Sequence, residues 1–358
     1  MKINNEPKLD FDDVLLVPQR SRTASRKEIK LERKFSFYHS DKQWDGIPVF
    51  AANMDTTGTV DMSNALSKYN MPTCLHKHYD KHQYAAIILD YDYQWYSMGI
   101  KEIEMDKLHA FYNETNKIPN ICIDVANGYT DDFVNFCYRV REEILKNTGT
   151  VPIIMAGNVC TPEMVQELIL HGGVDIVKIG IGPGSACTTR LKTGVGFPQL
   201  SAIIECSHAA HGLRNGDGRL GLVCADGGCR TPADVCKAFA AGADFVMLGG
   251  MLAGTYECEG DWQYEWLSDG SKMVRKSLKF YGMSSSEAQS KYGGVKNYRA
   301  SEGRVKEIPY KGPVKDIILD VLGGLRSACA YIGATKLKDM NKCAEFNLVN
   351  RTHFDQTV

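Results

Sequence analysis

No C-x-x-C pair occurs in the 358 residues, although the chain carries 12 cysteines. That absence argues against a zinc knuckle and against thioredoxin-like redox chemistry. A disulfide framework is not expected either, because the cysteines are irregularly spaced, the chain is long, and Met1 to Gln19 is too polar for a signal peptide. Most of them, such as Cys74, Cys122 and Cys236, sit in apolar runs or on helix faces and read as small buried hydrophobes. Excess charge of one sign is missing too: 42 Lys and Arg against 43 Asp and Glu leave a net charge of −1, with no basic tract. Nothing therefore points to a nucleic-acid backbone as a partner. No apolar run is long enough for a membrane span, so no membrane partner is expected and the expected location is cytoplasmic. With 44% hydrophobic and 24% charged residues, the composition is ordinary for a chain that buries a full core.

What the chain does have is a rhythm. After a polar lead-in over 1–46, a short apolar strand, a loop rich in Gly, Asn or Asp, and an amphipathic helix follow one another repeatedly. Strands are expected near 48–53, 71–76, 119–125, 151–157, 174–180, 219–225 and 243–249, and an eighth near 95–103 completes the count. Continuous apolar runs rather than alternation imply strands covered on both faces, as parallel strands are. Phe133, Phe136, Cys137, Val140 and Ile144 form one helical stripe. Thr161-Pro162 and Thr231-Pro232 each place a hydroxyl cap before a proline at the first helical position. The stretches that begin there resemble one another, which favours a single-domain (β/α)8 TIM barrel over 1–358; a doubly wound sheet is the alternative. Gly254 to Lys279 reads as a hairpin or flap carrying Trp262 and Trp266, 280–311 as irregular, and about 313–329 as a final helix.

The stretch of most chemical interest is Val177 to Leu200, V-K-I-G-I-G-P-G-S-A-C-T-T-R-L-K-T-G-V-G-F-P-Q-L. Gly180, Gly182, Pro183 and Gly184 forbid a regular helix and put Cys187 on a tight loop past a buried strand. Its neighbours Ser185, Thr188 and Thr189 offer no hydrophobic shell, which favours a reactive thiolate over a packed thiol. Loop N–H groups or Arg190 are the expected donors to that thiolate. Gly180-x-Gly182-x-x-Ser185 is no dinucleotide fingerprint, since Arg190 to Gly196 is glycine-punctuated rather than helical and no acidic strand end follows. Its carbonyls suit a monovalent cation instead.

In such a barrel the site lies at the C-terminal strand ends, and unusual residues gather there: Asn53-Met54-Asp55, His76-Lys77-His78, Asp124 to Gly128, Gly157-Asn158, Asp226-Gly227-Gly228 and Gly249-Gly250. The last two follow the seventh and eighth strands, where backbone N–H groups commonly take a phosphate. Either Gly-Gly pair alone equally suits a tight turn; the coincidence of both favours phosphate. His76 and His78 imply no metal pair, because carboxylate partners at ligand spacing are absent. Lys77 alone reads as a solvated loop lysine, and Glu302 alone as a surface carboxylate beside Arg299 or Arg304.

Taken together, G-I-G-P-G-S-A-C-T-T-R, K-T-G-V-G-F-P-Q-L-S-A, A-A-N-M-D-T, H-K-H-Y, D-V-A-N-G-Y, D-G-G-C, F-V-M-L-G-G-M-L-A-G, F-Y-G-M-S-S, Y-R-A-S-E-G and L-G-G-L-R-S-A resemble the GMP reductase family, from Leu9 to about Leu337. The resemblance implies a homotetrameric (β/α)8 oxidoreductase that converts GMP to IMP and ammonia with NADPH, in purine nucleotide interconversion. It implies Cys187 as nucleophile with Thr189 and Glu302 as proton relay. It implies GMP contacts at Asp226, Gly227, Gly228, Gly249, Gly250, Gly282, Met283, Ser284, Arg299, Ala300, Ser301 and Gly303. NADPH would meet Ser25, Arg26, Lys77, Asp124, Val125, Ala126, Ile181 and Gly182, and potassium would meet Gly182, Gly184, Cys187 and Arg190. The related IMP dehydrogenases mostly carry a regulatory module of paired repeats after the second strand, where this chain runs directly on. They also usually have an amide in place of Glu302, and an acid delivers a proton to departing ammonia more readily than an amide does. A short IMP dehydrogenase and a purine-nucleotide-binding barrel without turnover are the alternatives.

Overall fold

The computed structural model describes residues 1, 3–88, 90–216, 218–293 and 300–349. Eight parallel strands close into a barrel: β1 (Val49–Ala51), β2 (Thr73–Cys74), β3 (Gln94–Met98), β4 (Ile121–Asp124), β5 (Ile154–Val159), β6 (Ile176–Ile179), β7 (Leu222–Asp226) and β8 (Phe245–Leu248), with β8 paired back to β1. Around them lie α1 (Val60–Leu66), α2 (Lys81–Ile87), α3 (Glu102–Thr115), α4 (Asp131–Thr148), α5 (Pro162–Leu170), α6 (Gln199–Gly212), α7 (Pro232–Ala240) and α8 (Val314–Tyr331). The strands form where the apolar runs predict, because side chains on both faces are covered: all four residues of β6 are buried, as are all four of β8. The stripe on α4 is buried as its period predicts, Phe133, Phe136, Cys137, Val140 and Ile144 facing the strands. Each fully buried side chain of this size contributes about 1.5–3 kcal/mol. Among the described residues no helix is long and apolar enough to cross a membrane.

Several boundaries differ from the sequence reading, each for a local reason. The third strand is Gln94–Met98, and the chain after Gly99 turns into α3 instead of extending to 103. The Thr161 hydroxyl does not cap α5; it accepts from the Tyr129 hydroxyl at 3.1 Å. Thr189–Thr193, read as non-helical, forms a single helical turn closed by Gly194 at φ 73°. The flap is a three-stranded antiparallel sheet, β9 (Trp262–Trp266), β10 (Met273–Tyr281) and β11 (Val305–Pro309). Its third strand and a short helix, Ser286–Tyr292, both come from the segment read as irregular.

The lead-in is also more ordered than its composition suggests. Val14–Leu16 pairs with Phe346–Leu348, and Gln19 N–H donates to Tyr331 O at the end of α8. Arg33–Ser36 and Gln43–Gly46 form a hairpin that plugs the barrel's N-terminal end. Phe35 stacks on Phe245 at 4.5 Å, Trp44 lies 5.6 Å from the same ring, and Arg33 pairs with Asp244, just before β8. With that end closed by aromatic side chains, the open end is the one formed by the C-terminal ends of the strands.

Candidate active site

That open end holds one cavity of about 1080 Å³. Asp226, Gly227, Gly228, Gly249, Gly250, Gly282, Met283 and Ser284 all line it, and so do Cys187 and Glu302. Its volume exceeds the ~300–1,000 Å³ that commonly hold one small ligand, which leaves room for a nucleotide and a second group beside it.

The nucleophile loop is held at both ends. At Gly180 (φ 148°) a Cβ would lie 2.3 Å from the Asp226 carbonyl oxygen, so only glycine lets β6 end so close to β7. Gly184 O then accepts from Cys187 N–H at 3.0 Å, a tight turn that leaves the thiol partly exposed. From the other side comes the segment carrying Glu302. Arg304 N–H donates to Ala186 O at 2.9 Å and Thr188 N–H to Glu302 O at 2.8 Å, so Cys187 faces Gly303 across a short antiparallel bridge. This pairing brings Thr189 and Glu302 together across 113 residues. Cys187 Sγ donates to Thr189 Oγ1 at 3.3 Å, and Thr189 Oγ1 donates to Glu302 Oε2 at 2.7 Å. Both bonds run from thiol towards carboxylate, so a proton has a continuous path between them.

Arg190 does not serve the thiol. Its guanidinium is held by Asp10 at 3.1 Å and by the Phe197 carbonyl, and its stem packs across Gly182. What remains for a cation at this loop is backbone: among the described residues no hydrogen bond is made to the carbonyls of Gly182 or Cys187, while Gly184 O is engaged by Cys187 N–H. Carbonyl donors without carboxylates fit a large monovalent ion and not a divalent one, which takes carboxylate oxygens or imidazoles.

Deeper in the mouth lies a buried ionic cluster that the sequence reading missed. Lys178, in the middle of β6 and with a side chain 1% exposed, reaches Asp124 Oδ1 at the end of β4 and Asp226 Oδ2 at the end of β7 (3.2 Å). Asn158 Nδ2 donates to the same Asp226 oxygen at 2.9 Å. Burial alone would push the Asp124 carboxyl up, but Lys178 and Lys77 hold it below its ordinary value, and the same pairing holds Lys178 well above its own. A lysine inside the apolar run V-D-I-V-K-I-G was the available signal.

Of the residues expected to meet a nicotinamide cofactor, Lys77 acts electrostatically on Asp124, and Val125 and Ala126 follow Asp124 in a loop fixed to β5 by Val125 N–H on Gly157 O. Ile181 and Gly182 open the cysteine loop. These groups put an acceptor, Asp124, and a cation, Lys77, at the open mouth. Ser25 and Arg26 are not brought to it. They lie where Arg26 covers the ring of Tyr331, at the far end of α8, an 18-residue helix and so roughly 27 Å long. Ser301 ties the Glu302 segment to the short helix by accepting from Ser286 N–H at 2.9 Å, with Ala300 exposed beside it and Gly303 in the bridge. Arg299 lies outside the described residues. His76 and His78 lie beyond the end of β2 at Cys74. Their rings are 5.9 Å apart, His76 stacked on Tyr79 and His78 on Tyr292, and burial pushes both down to about 4.

A closed parallel barrel that lines up a thiol, a hydroxyl and a carboxylate beside paired glycine turns, at the C-terminal ends of its strands, has the architecture of the (β/α)8 enzymes. A family model described as the IMP dehydrogenase / GMP reductase domain matches residues 96–356. GMP reductase 1 of Homo sapiens is 48% identical over 98% of this chain and 98% of its own length; GMP reductase 2 of Mus musculus is 50% identical, over 96% and 95%. GMP reductase of Ascaris suum is 49% identical over 99% of this chain and 97% of its own. The chain belongs to the IMP dehydrogenase / GMP reductase family.

Proposed function

We propose that the chain catalyses the NADPH-dependent reductive deamination of GMP to IMP and ammonia, an oxidoreductase step of purine nucleotide interconversion. The observation that carries this reading is the relay Cys187–Thr189–Glu302, at 3.3 and 2.7 Å. Cys187 gives its proton through Thr189 to Glu302, and the thiolate adds to C2 of the purine. Glu302 returns that proton through Thr189 to the 2-amino group, which leaves as ammonia and leaves C2 bound to sulfur with no other proton needed. The nicotinamide cofactor, when bound, supplies a hydride to C2. Cys187 departs as thiolate, and its pair of electrons comes from the C2–S bond.

Asp226 suits the ribose hydroxyls, and the N–H groups of the Gly227-Gly228 and Gly249-Gly250 turns suit the 5′-phosphate. Gly282, Met283, Ser284 and the 299–303 run would close over the nucleotide, with Asp124, Val125, Ala126, Lys77, Ile181 and Gly182 on the cofactor side. A potassium ion held by carbonyls of Gly182, Gly184, Cys187 and Arg190 would fix the loop that presents the sulfur. The same reading takes the enzyme as a cytoplasmic homotetramer in which Ser25 and Arg26, remote from their own mouth, meet cofactor held by a neighbouring copy. Purified protein with GMP and NADPH, followed by loss of cofactor absorbance and release of ammonia, tests the proposal. Turnover with IMP and NAD in its place, or with neither pair, would reject it.

A further inference from the structure

Lys178 shares its ammonium between two carboxylates that the functional reading assigns to different ligands. Its Nζ is within hydrogen-bonding reach of Asp124 on β4 and Asp226 on β7, and nearly all of its side chain is out of solvent. Asp124 and Asp226 keep side-chain exposures of 27% and 20% towards the cavity, so each offers an oxygen to the mouth while another faces the lysine. We propose that Lys178 is a shared positioning residue: one buried ammonium holds one oxygen of each carboxylate and turns their free oxygens outward, Asp226 to the ribose diol of the purine nucleotide and Asp124 to the cofactor. The proposal rests on the functional reading above and adds that the two ligand sites share a single charge.

Without that cation, the two carboxylates that share it face one another uncompensated, and their like charges push them off these positions. The other groups facing them are Lys77 from the loop after β2, the amides of Asn53 and Asn158, and the buried thiols of Cys74, Cys122 and Cys224.

Equilibrium titrations with GMP and, separately, NADPH test this on wild type, K178M, D124N and K178M/D124N. K178M is expected to lose GMP affinity by at least about ten-fold, the scale of one hydrogen bond to a charged group. Adding D124N removes the competing carboxylate and should restore GMP binding to within about three-fold of wild type, while NADPH binding stays weak. A lysine that merely filled space would gain nothing from the loss of an aspartate. GMP binding by K178M that matches wild type, or D124N failing to rescue it, overturns the proposal. If K178M does not fold, the double variant, which loses one charge of each sign, decides alone: GMP binding near wild type supports the proposal and its loss overturns it. Failure of the functional reading is distinguishable, because wild type itself would then not turn over GMP with NADPH, whatever it binds.

Discussion

Glu302→Gln separates proton delivery from every other service of the segment that carries Glu302. The position of that segment does not depend on the carboxylate. Three main-chain bonds set it, Thr188 N–H to Glu302 O at 2.8 Å, Arg304 N–H to Ala186 O at 2.9 Å and Glu302 N–H to Ser284 O at 3.2 Å. Glutamine has the same length, and its amide oxygen can accept the Thr189 hydroxyl where Oε2 now does at 2.7 Å. GMP should therefore bind E302Q within about three-fold of wild type, since no contact to the nucleotide is removed. What the amide cannot do is take the thiol's proton and return it to a leaving amine. General acid–base assistance of this kind contributes about 10²–10⁴ in rate, and ammonia release in a single turnover should fall by that factor. The measurement is quenched-flow ammonia release at saturating GMP and NADPH, beside an equilibrium GMP titration. Release at the wild-type rate would remove Glu302 from the mechanism. A loss of GMP affinity as large as the loss of rate would make it a binding residue instead.

Two further substitutions probe the frame. Gly180→Ala places a Cβ 2.3 Å from the Asp226 carbonyl oxygen at a backbone φ of 148°, and should cost about 2 kcal/mol or more; an unfolding midpoint and GMP affinity both equal to wild type would show that β6 and β7 can part freely. Asp175, fully buried at the start of β6, is pushed by burial up to about 7 against the pull of the Ile154 N–H and Arg141. Its folded state holds the proton more tightly than the unfolded chain, so its contribution is full below about pH 4 and is lost as pH rises to about 7, on the order of 4 kcal/mol. Buried His76 and half-buried His39 and His78, pushed down to about 4, run the opposite way, losing stability as pH falls through the same window. Denaturant unfolding of D175N against wild type between about pH 4.5 and 7.5 isolates the aspartate; parallel curves would refute its assignment.

The barrel was legible because burial on both faces of a parallel strand writes a continuous apolar run, and the stripe from Phe133 to Ile144 writes a helix against it. Cys187 was legible because glycine and proline around a thiol leave few structural reasons for it. The partner of Cys187 was not visible in the residues alone. Glu302 reaches it through backbone pairing between two loops, and main-chain bonds such as Arg304 N–H to Ala186 O leave no periodicity or side-chain signature; only the resemblance in Y-R-A-S-E-G supplied it. The lead-in plug was missed for a related reason. Phe35 and Trp44 lie in a polar stretch, and it is the distant Phe245 that makes them core. The cap at Thr161 failed because a tertiary donor, Tyr129, took the hydroxyl first.

The cysteines of the barrel interior and the buried lysine have one explanation. In a parallel barrel, side chains from neighbouring strands fill common layers, so a long residue needs small ones beside it. Lys178 is registered against Gly157 on β5 and Cys224 on β7. A Cβ at Gly157 would lie 2.5 Å from that of Lys178, so glycine there opens the path by which the ammonium passes β5 and reaches Asp124 on β4. Cys122 on β4 and Cys224 on β7 are wholly buried within the same interior as Phe50, Trp95 and Phe245. Larger hydrophobes in their place would occupy the volume of the lysine stem, and overpacking of that kind costs about 1–3 kcal/mol. The thiols that looked like filler thus leave the space through which one charge reaches both aspartates.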